Sequence, residues 1–561
     1  MPFIRSQSLL FRTVLSHFRS TLLCSAPLLD PLACEGTRRE RMRFNLKRVF
    51  ALVFVCFCTT LIILALPRRG LEKEWESFPP GSVEAENVAP VRRFLAEKPL
   101  GLGDQRSLPH QPAPPSITGE FGGLEPFDFS SAPNKMTLAK VSRHLRDVDW
   151  NMIHVECPNN TTLYDYWMKT KRKTVSKTDN WELFYSELGS CDVWRDQKTI
   201  DKLFHDLSTL PIRDVHIMDG GTQVKLIFTF ENDKQAVFKP MRFGRDYESD
   251  PNHFYFSDFE RHNAEIATFH LDKILGYRRA VPTVGRVLNI TSELITKAEK
   301  KLKKTFFVSP AKNHCFVSRC DYYCDTTHAI CGSPDLKEGS VQVFLPDESA
   351  VPRKHNRSPY RRTYSKKNQQ AEWQTNMEYC ETEVKTDKRY AHGRRLLDLI
   401  DLHILDFLIG NQDRHHYESF NIFDNQPAYA IHLDNGRAFG RSDFDDLDIL
   451  LPLKQCCVIR PSTLRTLSEF YKRPKSLTRA LHESLSKDPV APILHYKHYP
   501  AMERRLGIIM EALAQCLDVH GAKKVVMTTF HNPSVPPPDK EAEYGTEEES
   551  DDKKEGAAKK N

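Results

Sequence analysis

The stretch Gly410–Gly440, GNQDRHHYESFNIFDNQPAYAIHLDNGRAFG, decides how this chain is read. Before it runs RRLLDLIDLHILDFLI, apolar nearly all round, which predicts a buried helix stopped by Gly410. Asp413 then falls in the loop just past that helix, beside Arg414 and two histidines. Further on, YAIHL places Tyr429, Ile431 and Leu433 on one face, so a short strand is expected to deliver Asp434, followed by Asn435 and Gly436.

Upstream, in GTQVKLIFTFENDKQAVFKP, Val224, Leu226, Phe228 and Phe230 alternate with more polar positions. Glu231 to Lys234 turns the chain, which predicts a hairpin ending on Lys239. FERHNAEIATFHLDKILGY puts Phe259, Ile266, Phe269, Ile274 and Leu275 at helical intervals, with Glu260 at its start and Gly276 as C-cap. A strand lysine, a helix glutamate and two aspartates in this order suit phosphoryl transfer from a nucleotide, where catalysis is mainly positioning and charge neutralisation. Lys239 would grip phosphate, Glu260 would hold Lys239 and reach a metal, and Asp434 would coordinate the divalent ion. Asp413 would orient and deprotonate the attacking hydroxyl. No G-x-G-x-x-G precedes the lysine; Gly220 and Gly221 are left to bring backbone amides to phosphate.

The 561 residues, 40% hydrophobic, allow one large domain or two ordinary ones. A net charge of +6, from 80 basic and 74 acidic residues, is too small and mixed for nucleic acid to be the main partner. Val49–Leu66, VFALVFVCFCTTLIILAL, is uncharged and long enough to span a bilayer as a helix. Arg38, Arg39, Arg41, Arg43, Lys47 and Arg48 precede it, which predicts a type II signal-anchor with residues 1–48 cytosolic. Met42 is an alternative start to Met1. Residues 67–134, rich in proline, glycine and charge, read as a flexible lumenal stem, and residues 532–561 as a disordered charged tail. VRRFL in the stem is either a site of proteolytic release or an uncut linker.

Ten of the 14 cysteines follow the membrane segment, an even number that suits lumenal disulfides. Cys315, Cys320, Cys324 and Cys331 lack the paired C-x-x-C knuckles of a zinc site. Asn159, Asn160 and Asn289 head glycosylation sequons; Asn356 heads another, but Pro359 follows its serine. His415 and His416 could ligate metal or bond the backbone, and adjacent side chains on an extended chain point apart. PRKHNRSPYRRTYSKK is either a steering surface for acidic substrates or a solvated basic loop.

The motifs FKP, FYFSDFERHNAEIATFHLDKILG, EGSVQVFLPD, IGNQDRHHYESF and IHLDNGRAFG resemble the Golgi casein kinase branch of the secretory-pathway kinase family related to four-jointed. The resemblance covers about Trp181 to His520. It implies an α+β, atypical two-lobed protein-kinase-like fold, disulfide-stapled and placed behind one N-terminal membrane helix. The N-lobe with an N-terminal extension would span 135–345 and the C-lobe 346–531. By this resemblance Asp413 is the catalytic aspartate, and Asp434 the metal aspartate of an Asp-Asn-Gly that stands for Asp-Phe-Gly. Glu260 becomes a nucleotide and metal ligand, and Lys239 the phosphate lysine. Gln223, Gln342, Val343, Phe344 and Leu345 surround the nucleotide, and Glu418 contacts it. The cofactors implied are ATP and Mn2+, with Mg2+ as the alternative. The resemblance also pairs Cys315 with Cys331, Cys320 with Cys324, Cys380 with Cys456 and Cys457 with Cys516, which leaves Cys157 with Cys191.

The activity implied is phosphorylation of serine in Ser-x-Glu motifs of secreted acidic proteins. Its place would be the Golgi membrane or, after cleavage, the secreted fluid, with a homodimer or a pseudokinase as partner. A sister branch phosphorylates xylose in the proteoglycan linkage region, with aspartate where Glu260 stands. A pseudokinase branch has glutamine there.

Overall fold

The computed structural model describes residues 133–537, apart from 171–173, 219, 251–254, 364–369 and 424–427. The expected signal-anchor, cytosolic segment, stem up to 132 and tail from 538 lie outside the described residues. Among those described, no helix is long and apolar enough to cross a membrane.

Helix α1 (Lys135–His144) begins where Asn134 caps it, the Asn134 side chain accepting the Met136 N–H at 2.9 Å. Its apolar stripe does not enter the N-lobe to which its place in the chain assigns it. Val141, with Leu145 and Val148 just past the helix, joins the core of the C-lobe instead.

The N-lobe is built on strands β1 (Ile212–Ile217), β2 (Leu226–Phe230), β3 (Gln235–Pro240) and β4 (Thr283–Asn289). Three short strands follow, β5 (Phe306–Val308), β6 (His314–Phe316) and β7 (Ile330–Cys331), and then β8 (Leu336–Val343). β1, β2, β3, β8 and β4 form one sheet in that order, every pair antiparallel. The expected hairpin is present: Phe230 N–H bonds the Lys234 carbonyl at 2.9 Å across a turn in which Asp233 takes φ 62°. Alternation buries Leu226, Phe228 and Phe230, and Phe228 stacks on Phe238 of β3 at 4.8 Å. Lys239 is the penultimate residue of β3, opposite Ser340. β5, β6 and β7 make a separate sheet in the insert that Cys315–Cys331 and Cys320–Cys324 staple.

Helix α2 (His262–Ile274) belongs to both cores, with Phe269 among the N-lobe side chains and Ala264, Ile266 and Leu271 among those of the C-lobe. Gly276 ends it at φ 79°, as the sequence predicts. The C-lobe centres on helix α3 (Arg395–Ile409), whose residues from Leu396 to Ile409 are all buried and which Gly410 stops at φ 69°. Its buried acids are each paired: Asp398 with Arg460 at 2.6 Å, Asp401 with Arg279 at 3.0 Å, and Asp406 with Arg414 at 2.8 Å. Helix α4 (His498–His520) packs beside α3 and carries α1, with Asp518 pairing to Lys140 and His144 at 3.3 and 2.8 Å.

Strand β9 (Arg353–Arg357) pairs with β11 (His416–Phe420), and β10 (His392–Gly393) with β12 (Phe530–His531). Cys380–Cys456, Cys457–Cys516 and Cys157–Cys191 complete five disulfides among the described residues.

The expected YAIHL strand is reduced to two isolated bridges, Ile431 with Glu418 and His432 with Ala280. No ladder continues because Arg414 takes the Leu433 carbonyl and Asp434 turns to φ 54°.

Candidate active site

Three carboxylates converge on the Lys239 ammonium. Glu265 Oε1 lies 2.5 Å away, Glu260 Oε2 3.2 Å and Asp434 Oδ1 3.4 Å. A second lysine, Lys225 at the foot of β2, reaches the same Asp434 oxygen at 3.2 Å and Glu260 Oε1 at 4.0 Å. Burial opposes the Lys239 charge, but Glu260, Glu265 and Asp434 outweigh it and keep the amine protonated well above its ordinary range. Lys225, with Lys239 behind it, holds the Asp434 carboxyl well below the usual carboxylate range. Burial pushes Glu260 up, yet the same two lysines bring it below its ordinary value. Asp434 remains open to the cleft, with 67% of its side chain exposed.

Two expectations change here. Glu260 does not begin the helix: Arg261 is the N-cap, and Glu260 sits in the extended segment before it. Gln223 explains why, since its buried amide donates to the Asp258 carbonyl at 2.8 Å and accepts the Glu260 N–H at 2.9 Å. Gln223 is buried and holds the Glu260 segment in place. The helix glutamate that grips Lys239 is Glu265, one turn into α2.

Asp413 lies in the loop after α3, its N–H bonded to Asn411 Oδ1 at 3.1 Å. Arg437, just past Asp434, pairs with Asp413 Oδ2 and donates to Thr222 Oγ1 at 3.2 Å. Burial raises the Asp413 carboxyl above its ordinary value, with Arg437 pulling the other way. His415 Nδ1 bonds the Asp413 carbonyl at 2.8 Å, a backbone role. Gly436 packs closely, because a Cβ there would stand 3.1 Å from the Glu260 side chain. Gly220 and Gly221, at φ 80° and 93°, form the turn beside Lys225.

The other expected nucleotide contacts each have protein partners. Glu418 pairs with Arg353 at 2.8 Å and His355 at 3.5 Å across β9 and β11, not with Lys239 or Asp434. Gln342 donates to Thr283 Oγ1 at 2.9 Å. Val343 and Leu345 are buried in the N-lobe core, and the Phe344 backbone bonds Gln235 and the Tyr185 hydroxyl. Of the sequons, Asn159 is exposed and Asn289 caps the turn after β4. Asn160 is half-buried, its Nδ2 donating to Asp192 at 2.8 Å and its oxygen accepting the Cys191 N–H.

Lys225, Glu265, Asn435 and Arg437 are site residues that sequence reasoning missed. Glu265 had a signal, an acid in the first turn of a helix behind the lysine strand. Lys225 and Arg437 had none beyond lying two residues past Gln223 and three past Asp434.

Two lobes, with a strand lysine clamped by a helix glutamate in the cleft between them, define a kinase-like protein. Residues 179–525 match the family described as Golgi casein kinase, C-terminal, Fam20, and the chain belongs to that family. The protein named extracellular serine/threonine protein kinase CeFam20, from Caenorhabditis elegans, is 65% identical over 495 residues, 88% of this chain and 95% of that protein. The crystal structure of the Golgi casein kinase with Mn/ADP bound is 69% identical, with TM-score 0.72, covering 76% of this chain and 100% of that chain. Sister proteins match at lower identity. Mouse pseudokinase FAM20A is 40% identical, over 64% of this chain and 69% of its own length. The glycosaminoglycan xylosylkinase of Danio rerio is 37% identical, over 64% of this chain and 85% of its own length.

Proposed function

We propose that this protein is a serine protein kinase of the secretory pathway, transferring the γ-phosphate of ATP to serine in Ser-x-Glu motifs of secreted acidic proteins. The observation that carries the reading is the convergence of Lys239, Glu260 and Asp434 in one cleft, with Asp413 beside them. The similarity to a Golgi casein kinase solved with Mn/ADP supports it.

The residues fit a divalent cation. Glu260 and Asp434 both offer carboxylate oxygens to one cationic centre, and oxygen donors suit Mn2+ or Mg2+. Bound between them, the ion would screen phosphate charge and orient the nucleotide. Lys239 and Lys225 supply fixed positive charge where the phosphates gather. Asp413 accepts the serine proton as the serine oxygen bonds to the γ-phosphorus, while the bond to the β–γ bridging oxygen breaks and ADP leaves. Glu260 favours an active enzyme over the pseudokinase reading, which the resemblance ties to glutamine at that place.

Five disulfides support an oxidising lumen. With residues 49–66 as signal-anchor, the catalytic lobes would face the Golgi lumen, and cleavage of the stem would release them. A second copy or a pseudokinase relative is the partner this family reading implies.

The test is phosphate transfer from ATP with Mn2+ by the purified protein, offered a Ser-x-Glu peptide and a xylose-containing linkage glycan in parallel. Asp434→Ala serves as control. Transfer to the peptide alone is the expected result. Transfer to the glycan alone would move the protein to the xylose kinase branch, and none to either would favour a partner-activating pseudokinase.

A further inference from the structure

The Lys239–Glu265 pair is joined to the loop of Asp413 by an unbroken set of buried hydrogen bonds. Asp406, in the last turn of α3, takes Arg414 Nε and Nη2, both at 2.8 Å. Arg414 Nη2 continues to Asn435 Oδ1 at 2.7 Å, while Nη1 meets the Leu433 carbonyl. Asn435 in turn donates its N–H to Glu265 Oε1 at 3.2 Å and its Nδ2 to Glu265 Oε2 at 3.4 Å. Glu265 Oε1 then holds Lys239 at 2.5 Å. All five residues are more than nine-tenths buried.

The chemistry of the central member is specific. Its neighbours are a cation on one side and an anion on the other, so it must accept from Arg414 and donate to Glu265. A carboxamide does both. Phenylalanine at this position does neither, and aspartate would set a second carboxylate oxygen against Glu265. Asn435 also directly follows Asp434, so fixing one fixes the backbone of the other.

We propose that Asn435 is a positioning residue, which locks the catalytic loop to the Lys239–Glu265 clamp and so builds the transfer-ready arrangement into the fold. The activity arm of its test rests on the kinase reading above; the exchange arm does not.

The experiment compares full-length wild type, Asn435→Asp, Glu265→Gln and the double variant. Hydrogen exchange is followed without nucleotide, and kcat and KM with Mn2+, ATP and a Ser-x-Glu peptide. In the double variant the carboxamide introduced on α2 can donate to the carboxylate introduced after Asp434, which restores the bond with donor and acceptor reversed. We expect Asn435→Asp to speed exchange in the first turns of α2 and in residues 411–415, with kcat down about tenfold or more and peptide KM unchanged. The double variant returns that exchange toward wild type, and its kcat is no lower than that of Glu265→Gln alone. Multiplied losses in the double variant, or unchanged exchange in α2, would overturn the proposal. Should Asn435→Asp fail to fold, Asn435→Ser carries the same exchange comparison. A wild type that phosphorylates neither acceptor would overturn the kinase reading and leave the exchange result standing.

Discussion

Asp413 owes its proton affinity to two opposed surroundings. Burial raises it above the ordinary 3.8, and the Arg437 guanidinium lowers it. A general base works only when deprotonated, so activity falls as pH drops through its pKa. We expect the acid limb of kcat/KM to lie above 3.8, and Arg437→Gln to move it to still higher pH because a lowering charge is removed. A pH–rate profile that shifts downward would contradict this assignment. Asp413→Asn should cut kcat by about 10²–10⁴ while Mn·ADP affinity, measured by calorimetry, stays near wild type. Asp413 and Asp434 were legible because each follows a recognisable element. Arg437 was not, since a guanidinium after a glycine has no pattern of its own until the fold brings it to Asp413.

Elements set by local periodicity were read with little error. Helix α3 is apolar on every side and ends at a glycine, and the structure buries it and stops it there. Gly410 takes φ 69°, and a Cβ would stand 3.0 Å from Arg505 Nη1. Gly410→Ala should therefore destabilise the fold by about 1–2 kcal/mol, read from the urea midpoint. The start of α2 was misplaced because apolar spacing continues through Phe259, while Gln223 holds Asp258 and Glu260 extended from another part of the chain. YAIHL failed as a strand for a similar reason. Its alternation is real, but a ladder needs a partner, and Arg414 occupies the Leu433 carbonyl.

At the scale of the molecule, the two lobes are tied by Asp488, which reaches from the C-lobe to accept the Gly285 N–H of β4 at 3.0 Å. Its other oxygen takes the Val490 N–H at 2.9 Å. Burial raises this carboxyl from 3.8 to about 6, with Glu338 adding to the rise and Arg245 opposing it. A raised folded-state pKa means that its stabilising share is present below 3.8 and lost as pH rises through about 6. The loss amounts to roughly 3 kcal/mol. Asp488→Asn should abolish this contribution, so wild type should lose stability relative to the variant between about pH 4 and pH 7 in urea titrations. The disulfides act at the same scale. Cys380–Cys456 closes a separation of 76 residues and Cys320–Cys324 one of 4, so replacing the first pair by serine should cost more, about 2–5 kcal/mol in denaturant unfolding.

The sequence by itself determined the hairpin under Lys239, helix α3 with its glycine stop and the order of lysine, glutamate and two aspartates. These follow from periods of two and 3.6 and from backbone preferences that act over a few residues. Only the tertiary structure decided that Glu265 is the carboxylate nearest Lys239, that Lys225 joins Asp434, and that Asn435 links the clamp to the catalytic loop. Ion pairs and buried hydrogen bonds are chosen by distance and desolvation between segments far apart in the chain, and spacing along a sequence does not encode either.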